Sequence, residues 1–469
     1  MLKKPKIKIL ILLISIIILG GYFFISSLIE NPKFSNLKSF LSVEQKKLIK
    51  KYIFPYKVIS QQQQTISQQQ QKISQQRKIF NIVNLPVMEI EKKEEGSEIT
   101  TEESIQKLSN NKTLKIYNLT SGFYAGINNL FPGSGYIDFY KSNIIVLSSR
   151  GILAFKKNIE DTEENFKQIK NNINDYIGMK QFGKSKKFSL KDLLIFNGKI
   201  YISFTEEIKE DCWNTSVIYG DMNYKDIVFK KLFSPKECVH SSNNIDKEFE
   251  IWQSGGRIIS FDNNYIILSI GDYRSRHLAQ DKKSVNGKLI KININNSNYE
   301  IISMGHRNPQ GLYFDEENNF ILETEHGPQG GDEINLIEIS KVNKDKILNY
   351  GWAISSAGEH YGGKIDRNKT KYEKYPLYKS HSKHGFIEPL KSFVPSIAVS
   401  EIVKIGQNKY VVSSMRDNSL YFFELNKQKQ IINLNRVEVF ERVRDLSLKN
   451  NQLFLFMEDT ASIGVLNLN

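Results

Sequence analysis

The residues best able to do chemistry are crowded into one stretch. From Gly305 to Ile337 the chain runs GHRNPQGLYFDEENNFILETEHGPQGGDEINLI, and NYGW follows at Asn349 to Trp352. Arg307, Asn308, Gln310, His326, Asp332 and Glu333 stand at the ends of two short apolar runs rather than alternating through them, which is how strand ends carry a site into their loops. Arg307 joins Arg416, Arg442 and Arg444 in a set of guanidinium groups without an equal number of acids nearby in sequence. Such a set suits an anionic ligand, because the guanidinium fork binds carboxylates bidentately.

The elements that must position these groups recur along the chain. An apolar strand, a short turn with Asn or Gly, a second apolar strand and a polar loop make up each unit. The instances are YIDFYKSNIIVLSSRG, LLIFNGKIYISFTEE, IISFDNNYIILSIGDYR, LYFDEENNFILETEHG, IVKIGQNKYVVSSMRDN and LSLKNNQLFLFMEDTAS. Six units of about the length of a four-stranded blade, with short strands and almost no amphipathic helical pattern, predict an all-β chain. Pattern alone leaves a six-bladed β-propeller and a β-sandwich with large loops open. In a propeller the loops leaving the second strands share one face, which would bring together Asp272 and Arg274, Glu325 to Pro328, and Arg416. LKIYNL at Leu114 is expected to close the ring against the final SIGVLNLN.

Ahead of this domain, set at 113–469, residues 9–29 carry no charge and are long enough to cross a membrane. Lys3, Lys4, Lys6 and Lys8 precede them and Glu30 follows, so residues 1–8 are expected in the cytoplasm and the main domain outside, periplasmic or extracellular. A cleaved signal peptide is the competing reading, opposed by the length of the segment and its poor cleavage site. Residues 30–112 are expected to form a Gln-rich stalk and linker. Ile59, Ile66 and Ile73 repeat every seven residues, half of a coiled-coil seam, which fits a weakly associating helical stalk and hence a homo-oligomer, or else a disordered spacer. The two cysteines, Cys212 and Cys238, suit either a disulfide in an oxidising compartment or two unrelated buried thiols. No CxxC or Cys/His zinc spacing occurs, and the histidines of HSKHG at His381 are expected on the surface. The net charge of +14 is scattered over the chain, without a basic run interleaved with aromatics, so nucleic acid is not an expected partner.

The string GHRNPQG…EHGP…GDEIN…NYGW resembles the core of the glucose/sorbosone dehydrogenase family, soluble quinoproteins that use pyrroloquinoline quinone. Looser resemblance runs from about Lys191 to Leu468 through SGGRI, IGDYR, AQDKKSVNGKLI, PSIAVSEI and ERVRD. It implies a six-bladed propeller, a sugar or aldose substrate whose hydride passes to the quinone, calcium, and an electron acceptor it does not specify. By the same resemblance Arg442 and Arg444 hold the cofactor carboxylates, and Arg416 takes the place of a lysine. Arg307 and Asn308 lie beside the quinone carbonyls, and His326 stands where a cofactor-contacting Gln is found. The main-chain oxygens of Gly327 and Pro328 match those that hold the cofactor's calcium, while Asp332, Glu333 and Tyr350 match a region of further calcium.

One departure falls on the chemistry. The family's general base is a histidine four residues before the arginine of a Gly-Arg-Ile motif; here that position is Gln253, or Trp252 if the count slips by one, and neither accepts a proton near neutral pH. Asp272 matches the acid that orients the missing imidazole, and His240 and His277 are the nearest histidines in sequence. Three readings follow: a membrane-anchored sugar dehydrogenase with Gln253, Asp272 and Arg307 at its catalytic centre, a propeller that binds without turnover, and a structural envelope protein.

Overall fold

The computed structural model describes residues 98–119 and 134–468, apart from positions 100, 162, 186 and 344–346. Six sheets follow one another along the chain, each a propeller blade of antiparallel strands, with Leu348–Asn349 added in parallel at the outer edge of blade 3. Their innermost strands are Gly135–Tyr140, Leu190–Phe196, Gly255–Asp262, Pro309–Asp315, Val399–Gly406 and Val443–Lys449 in blades 1 to 6. These six strands pack side by side around the axis, and that of blade 6 packs against that of blade 1, so the ring is closed.

The runs that lack alternation are explained by this layering. Each blade lies between two others, so strands such as Asn143–Ser148 are buried on both faces. Phe454, Phe456 and Ile463 of blade 6 pack on Ile137, Ile144 and Val146 of blade 1 in one such interface. Tight turns join the strands. Asn197 and Gly198 both take the left-handed conformation, as do Asn450 and Asn451, and the twist of a two-residue hairpin requires it.

The expected closure is present. Thr113–Leu119 pairs antiparallel with Ser462–Asn467, Leu114 opposite Leu466. The boundary at 113 is corrected, however. Thr101–Lys107 forms the outermost strand of blade 6 and Glu98–Ile99 the outermost strand of blade 1, so part of the expected linker belongs to the propeller. Its polar character is that of an edge strand, with Ile105 66% exposed. Cys212 and Cys238 form a disulfide with a Cα–Cα distance of 5.3 Å, tying the last segment of blade 2 to its third strand. The expected span over 9–29 and the heptad segment lie outside the described residues, among which no helix is long and apolar enough to cross a membrane.

The axis is filled by charge. Arg257 of SGGRI, on the innermost strand of blade 3, reaches Asp192 of blade 2 (2.7 Å), Asp445 of blade 6 (2.7 Å) and Glu401 of blade 5 (2.6 Å), all buried.

Candidate functional site

Strand direction fixes where the site must be. The innermost strand of each blade starts at the same end as the loop joining the second strand to the third, because neighbouring strands are antiparallel. At that end Lys191, Gln253, Asn308, Ala398 and Arg442 come from strand starts, and Arg274, His326, Met415 and Glu458 from the loops. With Glu250, Trp252, Arg307, Gln310, Tyr361 and Arg444 they line a cavity of about 360 Å³.

Five basic side chains face this space against two acids, Glu250 and Glu458. Glu458 is already engaged: its Oε2 accepts from Arg444 Nε (2.5 Å) and its Oε1 from Arg442 Nη2 (3.3 Å). Burial alone would raise its carboxyl, but the two arginines outweigh that and hold it below the usual range. The remaining excess is positive. Lys191 feels it, since burial first and Arg444 second bring its ammonium down to about 7.

Gln253 occupies the centre of the constellation. With its amide oriented so that each atom meets a complementary partner, Nε2 donates to Asp272 Oδ1 (3.0 Å) and Oε1 accepts from Arg274 Nε (3.0 Å) and Arg307 Nη2 (2.7 Å). Asp272 is fully buried; its Oδ2 accepts from Trp352 Nε1 (2.7 Å) and its Oδ1 from the backbone N–H of Arg274 (2.8 Å). Burial raises its carboxyl above the usual range, against the opposing pull of Arg307 and these two donors. Tyr273 and Arg274 hold left-handed backbone at φ 50° and 66°, a strained pair that delivers the Arg274 side chain to the cavity.

Arg307 also donates through Nη1 to the carbonyl oxygens of His326 (2.8 Å) and Gly327 (2.6 Å). Asp332 supports that loop, accepting from Gly327 N (3.2 Å) with one oxygen and from Ala398 N (2.6 Å) with the other. Asn308 spans two blades, its Oδ1 accepting from Gly255 N (3.1 Å) and Gln310 Nε2 (2.9 Å). His326 is the only imidazole lining the cavity among the described residues. Its Nε2 donates to Val399 O (2.6 Å), which leaves Nδ1 as the unprotonated nitrogen, and burial lowers its pKa.

The structure therefore brings together Gln253, Asp272, Arg307, Asn308, His326, Arg442, Arg444 and the Gly327 carbonyl. It does not bring Arg416, whose side chain is exposed; Met415, the first residue of the bend after strand Lys409–Ser414, faces the cavity instead. Trp252 sits at the rim, so the one-residue alternative for Gln253 is not the inward position. His240 and His277 do not line the cavity; His277 faces Asp246 at 3.4 Å. Glu333 and Tyr350 do not line it either. Glu333 lies 3.6 Å from His381, which is buried rather than on the surface because its loop folds in against blade 4. Pro328 O accepts from Ser396 Oγ, at 3.5 Å.

Sequence reasoning missed Lys191, Glu458 and Tyr361. Lys191 had a signal, a cation paired in sequence with Asp192 just ahead of the apolar run LLIF. Glu458 had one too, since it follows the second strand of its unit, as Asp272 and Glu325 closely follow or end theirs. Tyr361, over Arg274 at 5.2 Å and Arg307 at 5.9 Å, comes from a long insertion that no repeat register places.

The sequence model of the Glucose / Sorbosone dehydrogenase family matches residues 195–466. Among curated proteins, the aldose sugar dehydrogenase YliI of Escherichia coli K12 is 26% identical over 254 residues, covering 49% of this chain. The chain spans only 62% of that relative's length. Among solved structures, the apo-form soluble aldose sugar dehydrogenase from Escherichia coli superposes with a TM-score of 0.55 at 20% identity, over 71% of this chain and 94% of that one. The PQQ-bound form of an aldose sugar dehydrogenase from Streptomyces coelicolor gives 0.50 at 16% identity, over 72% and 99%. These two likenesses concern the fold.

Proposed function

The chain belongs to the glucose/sorbosone dehydrogenase family, and from that premise we propose that it is an exported, membrane-anchored quinoprotein acting on the hydroxyl of a sugar or aldose. The observation that carries the reading is the convergence of Lys191, Arg274, Arg307, Arg442 and Arg444 on one cavity. Their excess charge fits a rigid tricarboxylate such as pyrroloquinoline quinone. Arg442, Arg444 and Lys191 would hold its carboxylates, and Arg307 and Asn308 the quinone end. When bound, that group supplies the acceptor for the hydride. Calcium would use the oxygens of Gly327 and Pro328. Gly327 O already accepts from Arg307, so a second cation there needs an anion to offset its repulsion from the guanidinium.

The chain's own part in the chemistry is to orient the sugar and take its hydroxyl proton, and here Gln253 supports a second reading. Its amide is held by Asp272, Arg274 and Arg307 and has no basic atom to offer. A propeller that binds the cofactor and turns over slowly, or not at all, is favoured to that extent.

The test adds pyrroloquinoline quinone and calcium to the purified protein and records the absorption spectrum with and without aldoses and an artificial electron acceptor. Bound cofactor bleached by sugar supports the enzyme, bound cofactor without bleaching the binding module, and no binding at all removes both. Export is tested separately: protease added to intact spheroplasts should degrade the propeller, and full protection would sink the anchored, outward-facing topology.

A further inference from the structure

Behind the cavity, blade 4 buries a second polar cluster that the proposed chemistry does not use. Its second strand, Phe320–Glu325, and third strand, Asp332–Glu338, pair with Glu323 opposite Asn335 and Glu325 opposite Glu333. Side chains two apart on a strand share a face, so these four polar groups form a square on one side of the sheet. All four are buried, and His306, wholly buried at the end of blade 3, closes over them.

The partners of these groups are incomplete. Asn335 Nδ2 donates to Glu323 Oε2 (3.0 Å) and Glu325 Oε1 (3.2 Å), and Glu325 Oε2 accepts from the backbone N–H of Arg307 (2.5 Å). Among the described residues Glu323 Oε1, Asn335 Oδ1 and His306 Nδ1 have no hydrogen-bond partner. His306 Nδ1 stands 3.9 Å from Glu323 and 3.6 Å from Glu325, too far for hydrogen bonds and within the span of donors around one ion. Among the described residues no lysine or arginine is paired with either carboxylate. Burial, then Glu325, push the Glu323 carboxyl well above its usual range, so a cation entering between the two carboxylates takes the place of its proton.

We propose that His306 Nδ1 and the carboxylates of Glu323 and Glu325 bind a divalent transition-metal cation between blades 3 and 4. An imidazole beside two carboxylates suits Mn²⁺ or Zn²⁺ and not calcium, which takes oxygen donors. The ring is already oriented for it, since His306 Nε2 is bonded to Ser303 Oγ (2.8 Å), and Asn335 positions both carboxylates. The ligands differ from those the family resemblance assigns to calcium, and the inference does not rest on the sugar-dehydrogenase reading.

The test uses the full chain, dialysed against a chelator and then held in excess calcium to fill sites made of oxygen alone. Mn²⁺ is titrated in and the loss of its free paramagnetic resonance signal is followed, with Zn²⁺ as competitor. One Mn²⁺ per chain, displaced by Zn²⁺ and bound about tenfold more weakly or worse in Glu323→Gln and His306→Gln, is the expected result. Each variant's circular dichroism and metal-free melting temperature check its fold, and Glu323→Gln should melt no lower than the parent because an amide of the same shape keeps an oxygen for Asn335. Stoichiometric Mn²⁺ that survives both substitutions, or a parent that takes neither metal in calcium, would overturn the proposal.

Discussion

At the scale of single residues, Gln253 and Lys191 decide how the cavity behaves. Gln253→His should raise aldose oxidation by on the order of a hundred- to ten-thousand-fold, the usual worth of positioned proton transfer, because Asp272 already sits where it would orient the new ring. Turnover measured with bound cofactor checks this, and an unchanged rate would mean that another residue supplies the base. Lys191 makes ligand binding depend on pH. Its folded pKa of about 7 lies below its ordinary 10.5, so it gains charge as pH falls through 7, and a tricarboxylate should then bind roughly ten- to a hundredfold more tightly at pH 6 than at pH 8.5. Lys191→Met should flatten that profile in a fluorescence titration. The same shift acts on folding: between about 7 and 10.5 the unfolded chain holds the extra proton, so this residue makes stability rise with pH across that window. Most of the site was legible because its motifs carry fixed spacings. Arg416 was not, because it lies in a bend beyond its strand, where no period shows which residue faces inward.

At the scale of elements, the loop after the second strand of blade 4 does the positioning. A Cβ on Gly327 would collide with the carbonyl of Gly331, so Gly327→Ala must spread the turn and move its own carbonyl away from Arg307. Overpacking of this kind costs about 1–3 kcal/mol. Cofactor affinity should fall by about tenfold or more and the melting temperature by roughly a few degrees; calorimetry on both quantities checks it. All six hairpin units could be read from their turn residues and apolar runs. The outermost strand TEESIQK could not, because an edge strand in water has neither a buried face nor a continuous apolar run to betray it. The insertion from 350 to 390 gives no periodic signal either, and it supplies both Tyr361 and the buried His381.

At the scale of the whole molecule, Arg257 joins blades 2, 3, 5 and 6 at the axis. Arg257→Leu leaves three buried carboxylates without their counter-ion, and such losses cost about 3–5 kcal/mol. Denaturant unfolding should show that loss at neutral pH and a smaller one in acid, where the carboxyls can take up protons. The ring closure has a consequence in time rather than in energy. Strand Thr113–Leu119 is made long before Ser462–Asn467, its neighbour in the last blade. At 5–20 residues per second a ribosome needs roughly 20 to 70 s to span that interval. Until then the propeller is an open arc whose first-made edge waits for its last-made one. A premature stop anywhere between the two strands therefore leaves every earlier blade in an unsealed ring, so a nonsense lesion just ahead of Ser462 should be as damaging as one in blade 3.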